Sequence, residues 1–96
     1  MLTEQHKAVL ITIFYMGKLE EFGLIEGNGI GITTKGFDEA YDLYKSGFKI
    51  TKEEMGTCLK GIMEGASSKI ILQFLELAFH MQEVGIDEMK KQIAEM

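Results

Sequence analysis

The chain has no arginine, no proline, one cysteine and two histidines. Each scarcity removes something. All ten basic residues are lysine, so the bidentate reading of guanine that arginine provides is closed to this protein. Without proline, no helix is broken from within, and eleven glycines do the punctuating instead. A lone cysteine, Cys58, excludes an internal disulfide and fits a reducing, cytoplasmic setting. His6, Cys58 and His80 lie far apart and form no paired ligand spacing, so no metal is expected. Long apolar runs are also missing, and nothing reaches the ~20 residues of a membrane span. The run Ala8–Met16 has the apolar character of a signal segment. It continues into Lys18, Glu20 and Glu21 with no small-residue cleavage site, and so reads as a core helix.

What is present is a 96-residue chain, 46% hydrophobic, with a formal net charge of −5. That composition predicts one folded domain over residues 1–96. Acidic and basic residues are mixed along both halves, with no block of one sign. Such a surface repels a phosphate backbone unless its lysines are gathered on one face. Ser46, Ser67 and Ser68 fall at helix ends, where capping accounts for them, and no serine or cysteine is set up beside a base. Catalysis and a bound cofactor are therefore not expected. Gly27, Gly29 and Gly31 give a G-x-G-x-G spacing, but they lie between apolar strand-like residues and read as a turn rather than a phosphate loop.

The apolar periodicity predicts about five helices. The first covers Thr3–Phe22, apolar nearly all round at its centre, with Gly23 as its stop. The second covers Thr34–Ser46, with Phe37, Ala40, Tyr41 and Tyr44 on one stripe. Thr51-Lys52-Glu53-Glu54 is a capping box opening a third helix, which Gly65 closes. A fourth runs from Ser67 or Ser68 to Val84. Its polar residues Lys69, Gln73, Glu76, His80 and Glu83 share a narrow stripe, and most of the remaining surface is apolar. The last covers Asp87–Met96, with Met89 and Ile93 turned inward. Between the first and second helices, Leu24, Ile25, Ile30 and Ile32 flank Gly27-Asn28-Gly29, which predicts a β-hairpin over Leu24–Thr33. The expected class is thus mainly α with one hairpin, an α+β arrangement.

The phrase Gly23-Leu24-Ile25-Glu26, the returning Ile30-Gly31-Ile32 and the opening Thr33-Thr34-Lys35-Gly36-Phe37 resemble the wing region of winged-helix (winged helix-turn-helix) regulators. The resemblance covers about a fifth of the chain. It implies a winged-helix-like scaffold, a C-terminal helical dimerisation region over residues 67–96, and nucleic-acid contact through Lys18, Asn28 and Lys35. The chain departs from the family upstream, where only about twenty residues precede the wing. The helix leading into it is apolar at its centre and carries Glu20 and Glu21, a poor fit to a major groove. The resemblance therefore implies a reduced scaffold.

Two helices apolar over more than half their circumference are more than a domain this small can bury, which predicts a partner, most economically a second copy. The residues expected at that interface are Phe74, Leu77, Met81, Met89 and Ile93. The functional expectation is a small cytoplasmic regulatory or adaptor protein acting through protein–protein contacts as a homodimer. The alternative is a DNA-binding transcription regulator of winged-helix type.

Overall fold

The computed structural model describes residues 3–25 and 34–95, the side chains of 34 and 35 excepted. Among the described residues there are five helices: α1 (Glu4–Glu21), α2 (Thr34–Lys45), α3 (Lys52–Ile62), α4 (Ser68–Val84) and α5 (Ile86–Ala94). Their ends follow from local chemistry. The Thr3 hydroxyl accepts from the His6 amide at 3.1 Å and opens α1. At the other end the Gly23 amide donates to the Glu20 carbonyl and the Leu24 amide donates back to Leu19, closing a Schellman motif. That closure needs a left-handed residue, and Gly23, at φ 76°, supplies it. The capping box of α3 forms in full. Thr51 accepts from the Glu54 amide while the Glu54 carboxylate accepts from the Thr51 amide, both at 3.0 Å. The Thr51 backbone N–H, and secondarily the Thr51 side chain, hold the exposed Glu54 carboxyl below its ordinary value. Ser67 accepts from the Ile70 amide and opens α4.

Helix α1 lies at the centre and packs against α2, α3 and α4. Its buried residues Ala8, Ile11, Phe14, Tyr15, Met16 and Leu19 surround most of its axis. The apolar breadth that called for a partner is, for α1, satisfied inside the chain. Thr12, also fully buried, turns its hydroxyl onto the Ala8 carbonyl at 2.7 Å. One core joins α1 to Ala40 of α2, Met55 and Leu59 of α3, Ala78 and Met81 of α4, and Met89 of α5. Each large side chain sealed there contributes about 1.5–3 kcal/mol of transfer free energy.

Two polar side chains tie the connections to this core. The carboxamide of Gln82, on the inner face of α4, accepts from the Ile50 amide at 3.1 Å and donates to the Ile50 carbonyl at 2.8 Å. It thereby satisfies both backbone groups of a buried residue between α2 and α3. Helix α5 begins at Gly85, which has no side chain to cap it, and the Tyr44 hydroxyl accepts from the Ile86 amide at 2.9 Å in its place.

The expected α+β class is overturned. The described residues contain no strand, so the winged-helix reading falls with it. The reason is visible at Gly23-Leu24. Leu24, after the Gly23 stop, reads as a strand entry in the sequence, but its amide is committed to the Leu19 carbonyl as the last bond of the helix closure. Leu24 and Ile25 form a bend, and their side chains pack on the core as partly buried residues. The turn Gly27-Asn28-Gly29 and the returning segment Ile30–Thr33 lie outside the described residues.

Candidate functional site

Helix α4 buries Ala78, Met81 and Gln82, and its inner register continues through partly buried Leu75, Phe74 and Ile71. The stripe Lys69, Gln73, Glu76, His80 and Glu83 is exposed on the opposite side. Helix α5 packs on α4, with His80 Nε2 and Gln92 Oε1 3.0 Å apart in one such contact. The N-terminal half of α4 carries apolar residues on both flanks of its polar stripe. Ile70 is 43% exposed on one flank and Leu72 is 55% exposed on the other.

Leu72 borders a groove between α3 and α4 of about 590 Å3, floored by Gly56, Ile71 and Leu75. Helix α3 comes close to α4 at Gly56, where a β-carbon would sit 3.3 Å from the Leu75 Cδ2. Its rim carries both signs, Lys52 and Lys60 against Glu53. Lys52 also pairs with Glu76, and its ammonium lies 5.9 Å from the Phe79 ring centroid, so α3 and α4 are clamped across one end of the groove.

A second surface is aromatic. Phe14 and Tyr15 of α1 meet Phe37, Tyr41 and Tyr44 of α2 with ring centroids 5.6–6.2 Å apart. The inner rings are sealed, and burial pushes the Tyr15 phenol well above its ordinary value, with Tyr44 and Glu83 adding to the effect. Phe37 and Tyr41 remain 37% and 44% exposed. A third hollow, about 460 Å3 between α1 and α3, contains Cys58, Ala8 and Val9. Burial raises the Cys58 thiol, partly offset by the Thr12 side chain, so it is a poor nucleophile.

The residues expected at an interface are divided by the structure. Met81 and Met89 are core residues, buried within the single chain, and are not available to a partner. Phe74, Leu77 and Ile93 are partly buried and pack on the same core. Of the residues expected at nucleic acid, Lys18 is held by Glu21 at 3.1 Å and lies over the Phe14 and Phe37 rings. Asn28 and the Lys35 side chain lie outside the described residues. Sequence reasoning missed Leu72, which periodicity alone leaves indistinguishable from its buried neighbours. It also missed Gln82, although a polar residue four positions after Ala78 and next to Met81 falls on the inner register. Among the described residues no group of three or more His, Cys, Asp or Glu is gathered for a metal, and no helix is long and apolar enough to cross a membrane.

No protein-family model, curated protein or solved structure matches the chain.

Proposed function

We propose that this chain is a small, non-enzymatic regulatory or adaptor protein of the cytoplasm that acts through protein–protein contact, with a second copy of itself as the first partner. The observation that carries the reading is Leu72, the most exposed large apolar side chain among the described residues, standing beside the α3–α4 groove. Of the two broadly apolar helices, α1 is covered within the chain, and α4 keeps Ile70 and Leu72 exposed.

A second copy fits that groove better than a strongly charged partner does. The rim offers Lys52 and Lys60 together with Glu53, and a two-fold axis sets lysines of one copy against the glutamate of the other. A partner of one sign would meet like charge at some point on the rim. Leu72 of each copy then fills the groove of the other, an isologous contact of reciprocal knobs.

Light scattering over a concentration series tests the proposal, with Leu72→Lys and Ile70→Lys as variants. The expected result is a dimer at micromolar concentration, returned to a single chain by Leu72→Lys with unchanged helical circular dichroism. Ile70→Lys, on the opposite flank, leaves the dimer in place. A strict monomer at high micromolar concentration contradicts the proposal.

A further inference from the structure

The end of α1, the outer face of α2 and the first turn of α5 enclose a cleft of about 550 Å3. That volume lies in the range of small-molecule sites, ~300–1,000 Å3, and accommodates a ligand the size of a nucleoside monophosphate. Its wall is aromatic. Phe37 and Tyr41 lie one helical turn apart on α2, their rings 27° from parallel with centroids 6.4 Å apart. Phe14 backs both from the core, at 5.6 Å from Phe37 and 6.2 Å from Tyr41. The pair is therefore braced from behind and partly exposed, with the Lys18 ammonium 5.4 Å from the Phe37 centroid and the Lys45 ammonium 5.2 Å from that of Tyr41, flexible side chains that a stacked ring displaces.

The rim is cationic in a chain that is acidic overall. Lys18, Lys45 and Lys90 face the cleft against Glu21 and Asp87, whereas the whole protein carries −5. Lys18 is engaged by Glu21. Among the described residues no ion pair engages Lys45 or Lys90, and the Lys45 ammonium lies 5.2 Å from the Tyr41 ring centroid. A ring and an available ammonium thus sit within one small ligand's reach of each other.

We infer that this cleft binds a small planar aromatic anion of the nucleoside-phosphate class. The base stacks on Phe37 and Tyr41, and the phosphate is held by Lys45 and Lys90. Lysine serves here as a point charge, which a terminal phosphate accepts without the planar fork of arginine. A free nucleotide is favoured over a nucleic-acid strand, because the net negative charge of the protein opposes a polyanion while leaving a single phosphate to the local lysines. The inference does not depend on the α3–α4 contact face, which lies on other elements.

The test is a titration of the 15N-labelled full chain with adenosine 5′-monophosphate, followed by amide shifts. Parallel titrations use adenosine, ribose 5-phosphate and an oligodeoxyadenylate. Saturable shifts confined to α2, the end of α1 and the start of α5 are expected. Adenosine and ribose 5-phosphate, each lacking half of the ligand, are expected to bind roughly tenfold or more weakly. The double variant Lys45→Glu, Lys90→Glu changes only exposed side chains, and it weakens the monophosphate by about tenfold or more while the amide spectrum stays dispersed. Tyr41→Ala weakens adenosine and the monophosphate alike. No saturation up to roughly 10 mM overturns the assignment. So does ribose 5-phosphate or adenosine binding as tightly as the monophosphate, or a double variant that binds normally. An oligodeoxyadenylate that binds tightly while the monophosphate does not also overturns it.

Discussion

Replacing Gln82 by methionine removes a polar clamp while leaving a side chain of similar length in the core. In the native chain the Gln82 carboxamide satisfies both backbone groups of Ile50, at 3.1 and 2.8 Å. Ile50 is buried, so water does not replace what the substitution removes. Each buried backbone group left unpaired costs about 1–3 kcal/mol, and losing the buried amide dipole itself returns part of that. The net loss is about 2–4 kcal/mol, a large share of the ~5–15 kcal/mol expected for a domain. At roughly 4–8 °C per kcal/mol, the melting temperature falls by about 8–32 °C. Urea titration followed by circular dichroism should show a lower midpoint with an unchanged slope. Gln82→Glu sharpens the test. It keeps an acceptor for the Ile50 amide but faces the Ile50 carbonyl with a carboxylate. Burial raises the pKa of such a group, and protonation restores a donor, so this variant gains stability relative to the native chain as pH falls and loses it as pH rises through the raised value. A Gln82→Met protein within about 0.5 kcal/mol of the native chain refutes the reasoning, as does a Gln82→Glu protein without that pH dependence.

Tyr44→Phe should cost about 1 kcal/mol by leaving the Ile86 amide without its acceptor, with faster hydrogen exchange confined to the first turn of α5. Glu54, whose carboxyl is held below its ordinary value by Thr51, stabilises the fold above the unfolded-state value, and that contribution is lost as pH falls through the lower folded value. Glu54→Gln should abolish the acid-side dependence that Glu54 contributes, whereas Thr51→Ala, which keeps the backbone N–H that donates to the carboxylate, should only reduce it, measured by thermal melts across the acid range.

The helix punctuation was legible from sequence, because it is written within a few residues. Thr3, the Thr51–Glu54 box, Ser67 and Gly23 act where the sequence places them. The strand entry at Leu24 failed for a related reason. A helix closure and a strand opening begin with the same glycine and apolar residue, and they differ only in where the next amide donates, here back to Leu19. The candidate contact face was half legible. Periodicity identifies α4 as apolar on too many sides, yet it cannot say which sides α1, α3 and α5 cover. Met81 therefore falls among the residues expected at the interface and Leu72 does not, and the packing of α1, α3 and α5 reverses the two. Tyr44 and Gln82 act across long sequence separations, on Ile86 and Ile50, which no local pattern encodes.

The most direct test of the proposed pairing is an isotope-filtered nuclear Overhauser experiment on an equimolar mixture of labelled and unlabelled chains. The account predicts contacts between copies from the Leu72 methyl groups to Ile71, Leu75 and Gly56 of the other chain, absent when Leu72 is replaced by lysine. Contacts between copies that involve the α2 aromatic face instead, or no contacts between copies at high micromolar concentration, would contradict it.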